Sequence, residues 1–477
     1  MESTRADRVL NRREFISATA AVAGGLALSG PAVSHASDGR LPDPEESGID
    51  HVVVVMMENR SFDHYLGWVP GADGVQSGVR LLDAAGEAHE SYDLAPNFQN
   101  CHFADPDHSY DGGRRQVNGG AMNGFLLTQP AGDTFSIGYY TADSLPFFKG
   151  CAEHWTICDR YFSGILASTT PNRLYMHAGQ TDRLANSVEV STLPTVWDRM
   201  LGIGRSVAYY YVDVPYTAFW GDTYQWFSKN YSMQDLSADI AVGKLANLTF
   251  IDNVGTDAEE AFGISRDDHP LADIRNGQAF LNDVYDILRS GPQWARTLII
   301  INYDEWGGFY DHVPPPFAPV TPVEAAAGND GRLGCRVPCV LIGPRARRNH
   351  VEHTQFDPNS ILNFLAWRFG FEPLGARVTS NNLALALDFD SPPNPATPAF
   401  EVPTGRFGGL CMPAQALYEA LGIPIPERSP DARVLPLPLQ TKLPPIPGQD
   451  IPESVRRLVD HEQDLAALRE LARQFGM

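Results

Sequence analysis

Short, continuous runs of apolar residues recur along the chain and predict buried strands. The two clearest are Ile49–Met57 and Thr297–Tyr303, both rich in Val and Ile. Runs without polar alternation are typical of strands covered on both faces, as in parallel sheets. Two further runs, Leu248–Asp252 and Val337–Gly343, fit the same description. The pattern therefore predicts four buried strands.

Helical spacing of apolar residues appears between and after these runs. In Gly277–Arg289, apolar side chains recur at the three- and four-residue intervals of an amphipathic helix, and Ser360–Phe369 reads as another helix. Strands that alternate with helices favour an α/β fold with a mostly parallel central sheet and helices on both faces. The chain contains no internal repeat.

The carboxyl-terminal part differs in composition. Residues 391–477 are rich in proline, as in Ser391-Pro392-Pro393, and Glu453–Phe475 has the spacing of a final amphipathic helix. We expect an extension that packs on the main domain, because repeated proline interrupts regular secondary structure.

The first residues are typical of an export signal. Arg12 and Arg13 precede Phe15, a mildly apolar stretch follows, and Ser34-His35-Ala36 offers a small-x-small cleavage site. Residues 1–36 are therefore predicted to be a twin-arginine signal peptide, which makes the mature protein periplasmic or secreted. The alternative is a basic tail that leads into an ordinary helix.

The balance of charged residues argues against some classes of binding partner. The chain has 477 residues, with 36 basic against 58 acidic side chains. This balance argues against nucleic acid as a partner, because nucleic-acid binding draws most of its affinity from Lys and Arg. An acidic surface also disfavours lasting adsorption to anionic lipid, so only transient membrane contact is expected. The oligomeric state stays open.

Six cysteines allow up to three disulfides, and their spacing does not choose among the pairings. Cys335 and Cys339 are close enough in sequence for a local bridge. A zinc site is disfavoured, because no second close Cys/His pair lies nearby.

Polar residues stand directly after the two clearest strands. Glu58 and Asn59 follow the first, and Asp304 and Glu305 follow the second, before Gly307-Gly308. Ligands collect at the carboxyl ends of parallel strands, and carboxylate and amide oxygens suit a hard divalent cation. The glycines would let the backbone approach a ligand closely. The alternatives are a capped turn at Glu58 and a solvated acidic loop at Asp304.

A third segment, Leu166 to Tyr175, places Ser168, Thr169 and Thr170 before a proline. Hydroxyls followed by proline are typical of a helix start, where exposed amides can hold a phosphate while a hydroxyl attacks it. Thr169 also stands where sulfatases have the Cys or Ser that is oxidised to an aldehyde. Threonine cannot be oxidised in that way, so a plain hydroxyl nucleophile is the better interpretation.

Two histidines lie in polar loops, His108 in Asp105–Tyr110 and His269 in Asp267–Pro270. Either imidazole could bind phosphoryl oxygens or serve the leaving group. The alternative is a solvated loop histidine in each case.

These segments together resemble the bacterial phosphoesterases that include non-haemolytic phospholipases C and a group of acid phosphatases. The resemblance covers roughly residues 48–390 and rests on the following segments: Glu58–Tyr65, Asp105–Tyr110, Cys158–Phe162, Thr169–Tyr175, Asp267–Pro270, Asp304–Val313, Arg336–Pro338 and His353–Gly370. It implies an alkaline-phosphatase-like α/β catalytic domain over that range.

The resemblance also implies roles for individual residues. Thr169 would be the nucleophile, forming a phospho-threonine intermediate, and His108 and His269 would contact phosphate. The implied ligands of a divalent metal are Glu58, Asn59, Thr169, Asp304 and Glu305. Oxygen ligation favours Ca²⁺ or Mg²⁺, with Mn²⁺, Zn²⁺ and Fe as alternatives.

This sequence departs from the family pattern in two ways. The family usually has Gly-Pro before the nucleophile, where Ala167-Ser168 stand here, so Ser168 and Thr170 remain alternative nucleophiles. The chain is also too short for the carboxyl-terminal modules of the larger phospholipases.

The expected activity is a phospholipase C-type phosphodiesterase acting on phosphate esters, including phospholipids. Alternatives are an acid phosphatase and a non-catalytic exported binding protein.

Overall fold

A computed structural model describes residues 41–212, 215–253, 263, 265–405, 407–409, 411 and 470–474. The predicted signal peptide, residues 1–36, lies outside the described residues. Of the predicted final helix, residues 470–474 are described and are helical.

An eight-stranded sheet forms the centre of the described chain. Its strands in chain order are β1 (His51–Met57), β2 (Thr156–Cys158), β3 (Val207–Tyr211), β4 (Ser228–Asn230), β5 (Leu248–Ile251), β6 (Thr297–Tyr303), β7 (Cys339–Ile342) and β8 (His350–Glu352). They lie in the order β8-β2-β7-β6-β1-β5-β3-β4. Within this sheet, only β7 runs antiparallel to its neighbours. The prediction of a mostly parallel sheet is confirmed.

The register of the central strands positions the candidate site. β1 pairs with β6 from His51 opposite Thr297 to Met57 opposite Tyr303, so the two strands end side by side. Every β6 residue is buried, and in β1 only His51 is partly exposed. Successive side chains of a strand point to opposite faces, so both faces of the sheet are covered. All four predicted strands are present.

Besides the helical residues 470–474, nine α-helices flank the sheet in the described residues. They are α1 (Phe62–Leu66), α2 (Tyr110–Val117), α3 (Pro146–His154), α4 (Thr169–Ala178), α5 (Val196–Gly202), α6 (Met233–Ala241), α7 (Ile274–Ser290), α8 (Pro322–Ala327) and α9 (Pro358–Phe369). Both predicted helices are confirmed, within α7 and α9. α7 begins after Asp273, whose side chain accepts a hydrogen bond from the Arg275 N–H. None of the described helices has the length and apolar character needed to cross a bilayer.

The hydrophobic pattern did not predict the outer strands β2, β3, β4 and β8. Three of them have only three residues each, and β4 and β8 are partly exposed. Such short segments carry too little periodicity to be recognised, and their pairing with neighbours decides that they are strands. Two small two-stranded sheets lie outside the main one: Arg80–Leu82 with Ala88–Glu90, and Tyr92–Asp93 with Gly138–Tyr139.

The disulfide is not local. Cys101 is bonded to Cys411, 310 residues away, and the other four cysteines are buried free thiols. The suggested bridge between Cys335 and Cys339 is therefore wrong. Arg336 forms a β-bridge with Phe162, and Cys339 pairs with Asn302 in the sheet, so separate backbone partners hold the two cysteines rather than a local turn that would join them.

The described part of the proline-rich segment lies against α7 and the residues that follow it. Trp294 Nε1 donates to the Pro395 carbonyl at 3.0 Å, and the Tyr285 hydroxyl donates to the Pro398 carbonyl at 2.7 Å. Phe400 stacks on Tyr285 with ring centroids 5.1 Å apart. Carbonyl groups in a segment without regular secondary structure are thus satisfied by side chains of the main domain.

Candidate active site

The ends of β1 and β6 form the base of the site. Glu58, Asn59, Asp304 and Glu305 are all buried. The Asn59 N–H donates to Asp304 Oδ1 at 3.2 Å, and the Glu305 N–H donates to the same oxygen at 2.7 Å. The four residues predicted from the two strand ends therefore lie together.

Two glycines allow this close approach. Gly307 and Gly308 have left-handed backbone angles, with φ of 61° and 70°. A Cβ atom on Gly307 would lie 2.1 Å from the Asn59 carbonyl oxygen, and one on Gly308 would lie 2.6 Å from the Asp107 carbonyl oxygen. Side chains at these positions would push the β1 end and the 105–108 loop away from Glu305.

The predicted nucleophile lies at the start of α4. Thr169 is the first helical residue and Ser168 is the N-cap. The Thr170 N–H donates to Asn186 Oδ1 at 2.8 Å. Asn172 Nδ2 donates to the Ala167 carbonyl at 2.7 Å and to the Ser168 carbonyl at 3.1 Å. The loop that leads to Thr169 is thus held by a side chain of the helix itself.

Arg173 connects this helix to the strand ends. It lies four residues after Thr169, on the same face of α4. Its guanidinium donates to Glu58 Oε1 at 2.9 Å, to Asp252 Oδ1 at 3.2 Å and to Asp304 Oδ2 at 3.3 Å. One fully buried arginine therefore binds carboxylates from the ends of three neighbouring strands, β5, β1 and β6.

Sequence reasoning assigned no role to Arg173, Asp252 or Tyr216. The Tyr216 hydroxyl donates to Glu58 Oε1 at 2.8 Å, and the Tyr209 hydroxyl donates to Asp252 Oδ2. The position of Asp252 at the end of a predicted strand and the i, i+4 spacing of Arg173 from Thr169 were available signals. Tyr216 lies in a 3-10 helix at Tyr216–Trp220, where no pattern marks it.

Both predicted histidines lie beside Glu305. His108 Nε2 is 3.8 Å from Glu305 Oε1 and 3.5 Å from Asn59 Nδ2. The rings of His108 and His269 have centroids 6.2 Å apart. The structure thus brings both imidazoles to the same side of the metal-ligand candidates, although they come from loops far apart in the chain.

Burial and crowding of carboxylates dominate the electrostatics. Burial, together with the neighbouring charge of Asp304, raises the pKa of Glu305 well above its usual value. Burial also raises the pKa of Asp252. For Arg173, burial opposes the charged form. Its pKa is nevertheless raised overall by the neighbouring Tyr216, Asp304, Asp252 and Glu58. The site has more buried carboxylates than arginines, which favours the binding of a cation or protons.

Three buried oxygens fit a divalent cation. Within the described residues, Asn59 Oδ1, Thr169 Oγ1 and Glu305 Oε1 have no hydrogen-bond partner. An unsatisfied buried oxygen costs about 1–3 kcal/mol, so three of them in one region call for an explanation. All belong to residues predicted as ligands, and all are oxygens, the donor type that hard cations prefer.

Sequence comparison decides the family. The profile of the Phosphoesterase family matches residues 49–372, which include every residue of the site. The chain belongs to the Phosphoesterase family. This phosphoesterase is 31% identical to non-specific phospholipase C1 of Arabidopsis thaliana over 367 residues, 67% of each chain. It is 29% identical to phospholipase C B of Mycobacterium tuberculosis (strain CDC 1551 / Oshkosh), an alignment covering 90% of this chain and 96% of that one. It is a phosphoric ester hydrolase.

Solved structures resemble this phosphoesterase only distantly. One is a protein in the alkaline phosphatase superfamily from Vibrio parahaemolyticus, with a TM-score of 0.33, 12% identity, and coverage of 50% of this chain and 63% of that one. Another is the PsFucS1 sulfatase from Pseudoalteromonas sp., with a TM-score of 0.39, 11% identity, and coverage of 73% and 76%.

Proposed function

We propose that this phosphoesterase cleaves phosphodiesters as a phospholipase C, with Thr169 as the nucleophile and a divalent cation beside it. The relatives of phospholipase C type support the substrate class. The observation that carries the site assignment is Arg173, because it binds both strand ends, at Glu58 and Asp304, from the helix that begins with Thr169.

The chain's own residues account for most of the chemistry. Thr169 loses its hydroxyl proton and its Oγ1 bonds to phosphorus, while the P–O bond to the alcohol breaks and the alcohol oxygen takes up a proton as it leaves. Water then hydrolyses the phospho-threonine and restores the hydroxyl. The amino-terminal end of α4 stabilises the negative phosphoryl oxygens. Arg173 keeps Glu58 and Asp304 in fixed orientations, and Asn172 holds the loop before Thr169. His108 and His269 face the phosphoryl group or its leaving oxygen.

The cation would be held by oxygen atoms of Glu58, Asn59, Thr169, Asp304 and Glu305. When bound, it supplies positive charge that lowers the pKa of the Thr169 hydroxyl and neutralises the phosphoryl oxygens. Oxygen-only ligation favours Ca²⁺ or Mg²⁺ over softer ions. Elemental analysis of the purified protein identifies the metal.

Replacement of Thr169 tests the nucleophile. Thr169→Val removes the hydroxyl and keeps the side-chain shape, so we expect turnover to fall by at least about 10³-fold with an unchanged melting temperature. The neighbouring hydroxyls supply matched controls, since Ser168→Ala and Thr170→Val should retain most activity. Substantial turnover by Thr169→Val together with its loss in a control would move the nucleophile to that control position.

Two chromogenic substrates test the reaction class. We expect p-nitrophenyl phosphorylcholine, a diester, to be cleaved faster than p-nitrophenyl phosphate, a monoester. The reverse order would indicate an acid phosphatase.

We further propose that the protein is exported by the twin-arginine route. The support is the Arg12-Arg13 pair in the leader and the disulfide between Cys101 and Cys411, since disulfides persist in oxidising compartments. Replacing both arginines with lysine in the full chain should leave the protein in the cytoplasm, as cell fractionation would show. Unchanged export would contradict the assignment.

A further inference from the structure

A segment that is poor in charge follows the second strand-end motif. Residues 313–328 come directly after His312 and contain one charged residue, Glu324, whose side chain is buried. Charged residues make up 20% of the chain, so about three would be expected among these sixteen. The segment therefore presents no charged side chain to solvent.

Apolar side chains of this segment are exposed instead. Phe317 is 62% exposed and Val323 is 45% exposed. Pro319, Pro322 and Ala325, which lie beside them in the chain, are exposed as well. Single exposed apolar residues are common on protein surfaces, whereas a run of them without charges is typical of an interaction surface. We call residues 313–328 the apolar segment.

The apolar segment is held in a defined conformation. In its first half, the Ala318 N–H donates to the Gly331 carbonyl at 2.8 Å. In its second half, Thr321 and Glu324 form a capping box at the start of α8. A surface that is already ordered loses little conformational entropy when it binds a partner.

Two tyrosines join the apolar segment to chain segments that carry the candidate site. The Tyr175 hydroxyl, from α4, donates to the buried carboxylate of Glu324. The Tyr110 hydroxyl, two residues after His108, donates to the Gly328 carbonyl at 2.9 Å. The exposed apolar side chains are therefore fixed relative to the helix that begins with the proposed nucleophile.

Arg332 adds a third connection. Its carbonyl accepts from the N–H of Leu166, three residues before Thr169, at 3.4 Å. Its guanidinium lies over the Phe317 ring, with Cζ 4.2 Å from the ring centroid, and donates to the Pro315 carbonyl at 3.2 Å. An arginine beside exposed apolar side chains suits a lipid surface, because the apolar groups enter the acyl boundary while the guanidinium stays level with the phosphates.

The charge of the chain indicates the kind of lipid surface. With 36 basic against 58 acidic side chains, the protein as a whole is repelled by anionic lipid. An apolar segment without exposed charge complements a zwitterionic surface, which has no net charge.

We propose that the apolar segment docks this phosphoesterase on a zwitterionic phospholipid surface, with Phe317 and Val323 as the side chains that enter the lipid. Two apolar side chains give reversible docking, in agreement with the transient membrane contact expected from the acidic composition. That the docked lipid is also the substrate rests on the proposed function, whereas docking itself does not.

Vesicle binding tests the proposal on the folded protein. Phosphatidylcholine vesicles are sedimented with protein in the Thr169→Val background, so that lipid is not consumed. Phe317→Ser combined with Val323→Ser should weaken binding by about tenfold or more, because both side chains lose their apolar area. Both residues are exposed, so the melting temperature should stay unchanged. Anionic lipid should not strengthen binding, and added salt should not weaken it.

Trp226 supplies a matched control. It is 69% exposed, more than Phe317, but it stands between Asp222 and Lys229 rather than in a charge-free run. Trp226→Ser should bind the vesicles as tightly as its parent.

Hydrolysis gives an independent measurement in proteins that retain Thr169. The double variant at Phe317 and Val323 should cleave phosphatidylcholine in vesicles about tenfold more slowly than the wild type. Its rate on soluble p-nitrophenyl phosphorylcholine should be unchanged, because the apolar segment lies outside the proposed ligands and nucleophile.

Equal vesicle binding by the double variant and its parent would overturn the proposal, and so would an equal loss in Trp226→Ser. Tighter binding to anionic vesicles would overturn the choice of a zwitterionic surface. A change from dimer to monomer in the double variant, seen by light scattering, would make the segment an interface between copies of this chain and would also overturn docking on lipid.

These failures are distinguishable from failure of the proposed function. A protein that cleaves p-nitrophenyl phosphorylcholine but does not bind the vesicles contradicts only docking. A protein that binds the vesicles through Phe317 and Val323 but cleaves neither chromogenic substrate contradicts only the proposed activity.

Discussion

Two buried charged clusters take residues from the same two chain segments, and they differ in how completely their oxygens are paired. The site cluster contains Glu58, Asp252, Asp304, Glu305 and Arg173. The Arg336 cluster contains Asp63, Asp311, His312 and Arg336. One segment supplies both Glu58 and Asp63, and the other supplies Asp304, Glu305, Asp311 and His312.

In the Arg336 cluster every carboxylate oxygen accepts two hydrogen bonds. Asp63 Oδ1 accepts from Val75 N and Arg336 Nη2, and its Oδ2 accepts from the N and Nδ1 of His312. The two oxygens of Asp311 are bound equally fully, with Arg336 as a donor to each. Such a cluster has no coordination left for a ligand.

The site cluster is incomplete by comparison. Glu305 Oε1 has no hydrogen-bond partner in the described chain, and the same holds for Asn59 Oδ1 and Thr169 Oγ1. Both clusters are buried and both contain an arginine, so burial and ion pairing alone do not identify a functional site. The unsatisfied oxygens distinguish the site cluster from the Arg336 cluster, and they are the atoms that the proposed cation would bind.

The largest effect is expected from Arg173→Met. This change leaves buried carboxylates without their counter-charge, which destabilises the fold by about 3–5 kcal/mol. It also frees α4 from the strand ends, and a displaced nucleophile lowers turnover by at least about 10²-fold. Rates per folded molecule, combined with urea unfolding, measure both effects. Unchanged turnover in Arg173→Lys would contradict the role of the planar guanidinium.

Arg336→Met provides the matched test in the other cluster. We expect a similar loss of stability, about 3–5 kcal/mol, because Asp63 and Asp311 lose their buried partner. Turnover per folded molecule should fall by less than about 10-fold, since no residue of this cluster lies among the proposed ligands. A drop in turnover as large as that of Arg173→Met would remove the distinction between the clusters.

Cation binding should stabilise the protein through the site cluster alone. At a concentration 100 times its dissociation constant, a cation raises the free energy of unfolding by about 2.7 kcal/mol. Glu305→Gln should lose most of this gain, whereas Asp311→Asn should keep it. Melting temperatures with and without chelator measure the difference, and an equal gain in both variants would contradict the assignment of ligands.

The smallest effect is expected from His312. Burial opposes its protonation, but Asp63 and Asp311 raise its pKa overall, and its Nε2 also lies 3.1 Å from Asp73 Oδ1. Because its pKa is raised in the folded protein, His312 contributes its full stabilisation at pH values below the unfolded-state pKa of about 6.5. This contribution is lost as pH rises through the folded-state pKa.

In His312→Gln, the free energy of unfolding should therefore fall less as pH rises above the unfolded-state pKa of histidine. The difference from the wild type should be about 1 kcal/mol or less. Urea unfolding of the wild type and of His312→Gln, at pH values below and above the pKa of His312, measures this difference. A decline of equal size in the variant would assign the pH dependence to another group.

The sequence alone determined the central strands and the residues at their ends. Runs such as Thr297–Tyr303 are recognisable because a strand buried on both faces must be apolar throughout. Glu58, Asn59, Asp304 and Glu305 could be found because β1 and β6 end in register, and parallel strands collect their ends at one edge. The helix start at Thr169 was equally visible in its hydroxyls and proline.

Only the tertiary structure decided which charges are paired with which. Arg173 and Arg336 both stand within recognised motifs, yet nothing in their local sequence shows that one binds Glu58 and Asp304 while the other binds Asp63 and Asp311. Likewise, spacing did not indicate that Cys101 pairs with Cys411. Hydrophobic periodicity is a property of neighbouring residues, so it can be recognised in the sequence. Whether a buried polar atom finds a hydrogen-bond partner depends on residues from distant segments, and only folding brings those residues together.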